Sequence, residues 1–281
     1  MNIAASINRF IGLFIETSKQ FGRWRIWLVL LGLFFLNWLT LYAHLKFYSP
    51  LLYGPMHLWT SLFDDVQATG FTHYPDHYLL LPHFFGWAKF WLGLLAEGAV
   101  LGAVALMFYD GYQRSSADRR FSARAVLSSW IHLVAAWLII NGLIMVANLW
   151  LPEILQSWLA FSPRRIKAFR FGLLPLVYIV ILAVFFYTIP RVAAFRENII
   201  TALKRSLWLF LRNPITTFCL SFIVLVVPAY VAVLSGQSAD IVTKFKPELV
   251  YWLLLGGLLV DVLVSFFWMG TAVRLLVDEE R

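Results

Sequence analysis

The sequence predicts an all-α polytopic membrane protein, a transmembrane helical bundle of about six spans with amphipathic helices on its cytoplasmic surface. Of its 281 residues, 61% are hydrophobic and 14% are charged, whereas a soluble domain carries about 25% charged residues. The apolar residues form six runs long enough to cross a bilayer, and the charged residues lie almost entirely between these runs. We therefore expect lipid around most of the molecular surface.

The six spans follow from the length of the apolar runs, because about 20 helical residues cross the hydrocarbon core. The runs cover residues 26–48, 83–109, 127–151, 171–190, 215–235 and 249–275. Many of the 13 tryptophans lie near the ends of these runs, which is typical of side chains at headgroup depth. The first run is too long for the core of a signal peptide, so we expect it to remain as a span.

The basic residues predict the orientation, since short cytoplasmic loops retain Lys and Arg. Three basic connections lie on the side of both termini, which indicates a bacterial inner-membrane protein with cytoplasmic termini. We expect the following basic residues of these segments to contact anionic lipid: Arg23, Arg25, Arg119, Arg120, Lys204, Arg205 and Arg212. The basic segment 162–170 falls on the opposite side. Either it docks against lipid phosphate or a partner, or the number of spans between residues 127 and 190 is wrong.

Three segments on the predicted cytoplasmic side have the pattern of amphipathic helices that lie on a membrane surface. The first has an apolar stripe of Ile3, Ile7, Phe10, Ile11, Phe14 and Ile15. The third has one of Ile199, Ile200, Leu203, Leu207, Phe210 and Leu211. With a shorter segment at 117–126, they divide a single membrane domain, residues 1–281, into units of approximately 1–113, 114–195 and 196–281.

The segments SKQFGRWRIW and LKRSLWLFLRNP share the order of surface helix, basic turn and span. This order resembles bacterial six-span membrane families, among them the membrane domain that is sometimes fused to glycerophosphodiester phosphodiesterases. The resemblance rests mainly on residues 195–235 and implies a multi-span membrane fold. It implies no phosphodiesterase activity, because these 281 residues contain no soluble phosphodiesterase domain.

Two carboxylates lie inside predicted spans, Glu97 in the second and Asp261 in the sixth. A charge at the bilayer centre costs about 2.5–3.5 kcal/mol, so each group needs a reason to be there. With Asn141 and Asn37 they could form a proton or cation relay or line a substrate path. The alternative that we favour from sequence is a neutral acid that hydrogen-bonds a neighbouring helix or a partner subunit.

Small residues beside both acids predict close helix packing. Gly98 and Gly102 follow Glu97 with the spacing that lets two helix backbones approach, and Gly256 and Gly257 precede Asp261. The sequence therefore predicts that the two acids lie at comparable depth and at a shared helix contact.

Five of the six histidines lie on or beside the first external segment. Metal or haem binding would draw on His73, His77, His83 and His44. His73 and His77 are four residues apart, but Pro75 argues against a helix that would align them. We expect interfacial hydrogen bonding instead, and no cofactor.

No nucleophile elbow, P-loop or dinucleotide-binding motif occurs in the sequence. The lone Cys219 cannot form an intrachain disulfide, and the net charge of +8 is juxtamembrane, which favours lipid over nucleic acid. We predict a non-enzymatic membrane subunit of a larger assembly related to transport or the envelope, with lipids and sister subunits as partners. The alternatives are a transporter with Glu97 and Asp261 in its pathway, and a haem- or metal-handling protein.

Overall fold

The structure, a computed structural model, describes residues 3–63, 69–113, 123–159 and 162–280. Every regular element in these ranges is helical, which confirms the all-α fold class. Six helical segments of the described chain are long and apolar enough to cross a membrane, as predicted. They are Trp24–Leu45, Asp76–Tyr112, Trp130–Ile154, Pro163–Phe195, Pro214–Ser235 and Leu249–Glu279.

The helices, in chain order, are α1 (Ile3–Ser18), α2 (Trp24–Leu45), α3 (Pro50–Thr60), α4 (Asp76–Leu92), α5 (Gly98–Tyr112), α6 (Ala123–Ser128), α7 (Trp130–Ile154), α8 (Gln156–Leu159), α9 (Pro163–Ala168), α10 (Leu174–Phe185), α11 (Thr188–Phe195), α12 (Ile199–Arg212), α13 (Pro214–Ser235), α14 (Ser238–Lys244) and α15 (Leu249–Glu279). A first π segment, Gly93–Glu97, joins α4 to α5, and a second, Phe169–Leu173, joins α9 to α10.

The spans alternate in length. The second, fourth and sixth contain 37, 33 and 31 residues, whereas the first, third and fifth contain 22, 25 and 22. At 1.5 Å per residue, the sixth span is about 46 Å long, well beyond the hydrocarbon thickness of about 30 Å. All three long spans run toward the end of the bundle that carries α1, so their excess length is available to build a layer there.

A packed layer forms at this end from the long spans, α1 and α12. The stacked rings of Phe14 in α1 and Phe267 in the sixth span have centroids 4.3 Å apart. The indole of Trp268 donates a hydrogen bond to the Phe186 carbonyl at 3.1 Å. Fully buried members of this layer are Phe108, Phe186, Tyr187, Met269, Ala272, Val273, Leu275 and Leu276. A large part of the apolar core therefore lies at one end of the bundle.

A smaller cluster closes the opposite end, where the first, second and sixth spans meet. Its buried members are Leu41, Phe71, Tyr78, Leu81, Phe84, Phe85, Val250 and Leu258. The hydroxyl of Ser238 in α14 donates to the Leu79 carbonyl at 3.0 Å. This contact fixes the hairpin between the fifth and sixth spans to the start of the second.

Both predicted surface helices that the structure describes are present, but each buries a face that the apolar pattern did not single out. In α12 this face consists of Ala202, Ser206 and Leu209, and Ser206 Oγ donates to the Val184 carbonyl at 2.9 Å. Small and hydroxyl side chains let α12 lie close to the fourth span. Of the apolar stripe, Ile200, Leu207 and Leu211 stay exposed, whereas the other three members are partly buried, namely Ile199, Leu203 and Phe210.

The stripe predicted for α1 is divided between two environments. Phe10 and Phe14 are partly buried, and Phe14 packs against the sixth span. The isoleucines at four-residue spacing remain exposed, namely Ile3, Ile7, Ile11 and Ile15. The predicted apolar face is therefore wider than the contact with the sixth span, and its isoleucine row stays uncovered.

Two expected boundaries are wrong. The basic segment 162–170 is not a loop but the helical beginning of the fourth span, where Ser162 Oγ accepts a hydrogen bond from the Arg164 amide at 3.2 Å and Pro163 occupies the favourable first turn. The structure thus keeps two spans between residues 127 and 190. The second span begins at Asp76 rather than near residue 83, because a membrane helix tolerates an internal proline such as Pro82.

Candidate functional site

A small cavity lies between the first, second and sixth spans, and the structure places ionisable side chains on it. Its lining residues are Leu30, Leu33, Phe34, Asn37, Lys89, Glu97, Leu258, Asp261, Val262 and Ser265. The cavity volume is about 20 Å³, close to the minimum for one water molecule. Glu97 and Asp261 therefore line the same cavity.

Asp261 forms an ion pair across the cavity with Lys89 of the second span. The Lys89 Nζ and Asp261 Oδ2 atoms are 2.5 Å apart, which is a short, charge-assisted hydrogen bond. Both residues line the cavity, and each side chain keeps 35% of its surface uncovered by protein.

Lys89 is the charged residue on this cavity that the sequence analysis did not single out. It lies within the predicted second run, eight residues before Glu97. Eight residues exceed two regular α-helical turns by about 80°, so simple periodicity puts the two side chains on different faces. The first π segment lies between them, and its wider i→i+5 turn reduces this angular offset. An ionisable residue inside the same run as Glu97 was the signal that could have found it.

Glu97 ends the first π segment and lies where the second and third spans meet. A Cβ atom built on Gly93 would lie 2.3 Å from Trp137 Cζ2 and 3.0 Å from Glu97 Oε2. The indole N–H of Trp137 is buried and lies beside the Glu97 carboxylate, which is its candidate hydrogen-bond acceptor. A glycine at position 93 is therefore required for the carboxylate and the indole to share this space.

Of the two predicted asparagines, only Asn37 lies on the cavity. Its Nδ2 donates to the Leu33 carbonyl at 3.1 Å, while its Oδ1 is buried without a partner among the described residues. Asn141 makes the equivalent bond to the Trp137 carbonyl, also at 3.1 Å, but it is not among the lining residues. The free Asn37 oxygen is thus available to a proton donor or small cation.

The glycine face beside Glu97 packs against the third span, not against the sixth. A Cβ on Gly98 would lie 2.8 Å from the Leu133 carbonyl oxygen, and one on Gly102 would lie 2.7 Å from Leu133 Cδ1. Gly257 likewise faces Val231 of the fifth span. The close helix packing predicted for these glycines is present. It joins the second span to the third and the sixth to the fifth, and not the two acids, because consecutive helical residues such as Glu97 and Gly98 point about 100° apart.

The predicted lipid-binding arginines have differing surroundings. Arg23 donates to the carbonyls of Met107 and Gly111 at 3.3 and 3.4 Å, so it supplies hydrogen bonds to backbone carbonyl groups near the C-terminal end of α5. Arg25 is exposed and lies 5.8 Å from the ring of Trp24. Arg119 and Arg120 lie outside the described residues.

The other three predicted lipid-binding residues lie on α12, where two of them also bind buried acids. Lys204 is exposed. Arg205 pairs with Glu197, which also binds Arg191 at 2.8 Å. Arg212 pairs with Glu279 at 2.8 Å.

Glu279, at the end of the sixth span, holds the two surface helices together. It accepts a hydrogen bond from Arg9 of α1 at 2.6 Å and forms an ion pair with Arg212 of α12. Arg9 also donates to Asn213 Oδ1 at 2.7 Å. Burial raises the pKa of the neighbouring Glu280 carboxyl, although Arg191 opposes this shift.

The four histidines considered as metal or haem ligands have separate surroundings. His44 is buried, with Nδ1 2.7 Å from the Thr40 carbonyl oxygen, and His77 is buried against Tyr78. His73 and His83 are exposed, and His73 precedes α4, which begins at Asp76. Within the described ranges, no group of three His, Cys, Asp or Glu side chains could hold a metal ion.

No protein-family model, curated protein or solved structure matches the chain. Its class rests on the six apolar spans and the helical architecture: the chain is an all-α polytopic integral membrane protein. The resemblance to the membrane domains fused to phosphodiesterases stays a prediction.

Proposed function

We propose that this protein is a non-enzymatic membrane transporter that conducts protons, with Glu97 as the group that takes up and releases the proton. The observation that carries the proposal is the Lys89–Asp261 ion pair, which shares one intramembrane cavity with Glu97. Ionisable residues inside membrane spans are costly and mark ion or proton pathways. The proposal therefore prefers the transporter, which was an alternative in the sequence analysis, to the non-enzymatic subunit that the sequence favoured.

The charges around the cavity favour a site for one positive charge. Ionised Lys89 and Asp261 cancel each other, so an ionised Glu97 leaves a net charge of −1. One proton added to the Glu97 carboxylate brings the three groups to zero net charge. Because an uncompensated charge is expensive in a low-dielectric interior, gain or loss of this proton changes the electrostatic energy of the cavity.

The size of the cavity favours a proton or water over an organic solute in this conformation. A volume of about 20 Å³ holds one water molecule at most. Asn37 Oδ1, buried and unpartnered in the described structure, supplies an acceptor for that water or for the protonated acid.

The proposal is tested with the full chain reconstituted in vesicles. A pH jump followed by infrared difference spectroscopy should show a carboxylic C=O band that is lost in Glu97→Gln. A potential imposed with potassium and valinomycin should drive proton uptake, reported by a trapped pH dye, and Glu97→Gln should reduce it at least tenfold. An unchanged band in Glu97→Gln, or no proton uptake by the wild-type protein, would contradict the proposal.

The two asparagines provide a matched control. Asn37→Leu removes the free oxygen on the cavity and should slow proton uptake. Asn141→Leu removes an amide with the same backbone bond from a position off the cavity and should leave uptake unchanged. Equal effects of the two substitutions would show that general destabilisation is responsible.

A second candidate is a subunit of a larger membrane assembly, and it is supported by His132. This histidine is exposed on the third span, so a polar ring faces away from its own protein within an apolar segment. Native mass spectrometry after mild extraction should detect a bound chain that is lost in His132→Phe. His83→Phe, at another exposed span histidine, should retain it, and a strictly monomeric wild-type protein would argue against this candidate.

The proposal includes an inner bacterial membrane with both termini in the cytoplasm. It is supported by the basic residues of the connections on the side of α1 and α12, as the positive-inside rule expects. Labelling of Ser18→Cys and Thr243→Cys in intact cells with an impermeant maleimide tests it. Only the second residue, at the opposite end of the bundle, should react.

A further inference from the structure

The outer face of α12 combines an apolar row with a cationic row. Ile200, Leu207 and Leu211 lie on one side and are exposed, Leu211 by 66%. Arg205, Trp208 and Arg212 follow at the neighbouring helical positions, a spacing of three and four residues that places them on one face. This exposed face is separate from the buried face of Ala202, Ser206 and Leu209.

The cations on this face project outward although two of them are paired. The Arg205 and Arg212 side chains are 57% and 56% exposed, whereas their partners Glu197 and Glu279 are only 9% and 11% exposed. The negative ends of both pairs therefore lie inside the protein and the positive ends outside. Together with exposed Lys204, they give the outer face a positive potential.

The position of α12 along the chain holds this face at the membrane boundary. The helix ends at Arg212 and the fifth span begins at Pro214, so a single residue separates them. The Arg212 guanidinium lies 5.2 Å from the centroid of the Trp208 ring. Trp beside a cation is typical of the headgroup region, where the ring is amphipathic and the charge meets phosphate.

The N-terminal helix α1 extends the same surface. Its exposed row has isoleucine at every fourth position, from Ile3 to Ile15. Arg9 of α1 and Arg212 of α12 bind the same carboxylate, Glu279, which places both helices at one end of the bundle. Each helix thus offers an apolar row that its own protein leaves uncovered.

We infer that the exposed faces of α12 and α1 form a docking surface for an anionic phospholipid leaflet, with Lys204, Arg205 and Arg212 on the lipid phosphates. Apolar rows enter the acyl boundary, and the cations bind the headgroups. The outward direction of the positive charges selects acidic over zwitterionic lipid. This surface does not depend on the proton site at Glu97.

The inference is tested with a bimane label at Leu207→Cys in a Cys219→Ser background, using the full chain in vesicles. Equal mole fractions of brominated phosphatidylglycerol or brominated phosphatidylcholine are compared in an otherwise identical phosphatidylcholine and phosphatidylglycerol mixture. Both should quench the label, and the anionic quencher should be the more effective. Lys204→Gln should lower the ratio of the two quenching efficiencies by up to about fivefold, the contribution of one cation near a charged surface.

Lys244→Gln is the matched control, because Lys244 is an exposed helical lysine at the opposite end of the molecule. It should leave the ratio unchanged. A ratio of one in the parent protein overturns the inference. A label that neither lipid quenches also overturns the inference. In that case, quenching by aqueous iodide would indicate a solvated helix, and protection from iodide would indicate a protein partner.

Discussion

Lys89 changes the meaning of the two intramembrane acids. From sequence, Glu97 and Asp261 are equivalent lone carboxylates, each in need of a partner. In the structure Asp261 has a cationic partner 2.5 Å away, and Glu97 is the acid on the same cavity that is left for a proton. The asymmetry follows from one lysine, and it assigns the two acids different roles in the proposed mechanism.

At the scale of single residues, Asp261→Asn should destabilise the protein by about 2–3 kcal/mol, because it leaves Lys89 charged without its partner. The expected loss does not exceed the loss of stability on breaking a fully buried ion pair, because both side chains keep 35% of their surface uncovered. Thermal unfolding in detergent measures the change. The double substitution Lys89→Met with Asp261→Leu should recover most of the loss, whereas an additive, larger loss would show that the pair is not coupled.

At the scale of helices, a π segment and a glycine face allow the second span to meet two neighbours at once. The first π segment brings Lys89 and Glu97 toward the first and sixth spans. Immediately after it, Gly98 and Gly102 turn a smooth face to the third span. A regular α-helix with larger side chains would satisfy one contact at the expense of the other.

Gly98→Ala should therefore cost about 1–3 kcal/mol, the usual range for overpacking. The added methyl would lie 2.8 Å from the Leu133 carbonyl oxygen, and a backbone atom cannot move aside cheaply. Gly32→Ala is the control, because no atom lies within 4 Å of its Cβ position and alanine is the better helix former. Equal stabilities of the two variants in thermal unfolding would refute the packing role of Gly98.

At the scale of the whole molecule, the three long spans make one end of the bundle a packed layer that includes α1 and α12. Arg9 and Arg212 connect these helices to Glu279 at the end of the sixth span. The same helix carries Asp261, 18 positions earlier in the chain. One rigid element thus joins the intramembrane cavity to the surface helices.

Glu279→Gln should loosen this end, because it weakens two ion pairs whose acid is only 11% exposed. We expect the free energy of local opening of α1 to fall by about 1 kcal/mol. Amide exchange across α1, measured by hydrogen–deuterium exchange, should then become about fivefold faster. Asp240→Asn, which removes only the exposed pair with Lys244, should have no comparable effect on α14. Unchanged exchange in α1 would mean that apolar packing alone holds the helix.

The sequence by itself determined the class, the approximate spans and the existence of two surface helices, because hydrocarbon thickness and helical periodicity act on contiguous residues. It also identified Glu97, Asp261 and Asn37 as candidates for one site. Only the tertiary structure decided that Asn141 lies elsewhere, that the glycines face the third and fifth spans, and that Lys89 completes the site. These depend on the rotation of one helix against another, to which a π segment adds a local change that residue spacing does not predict.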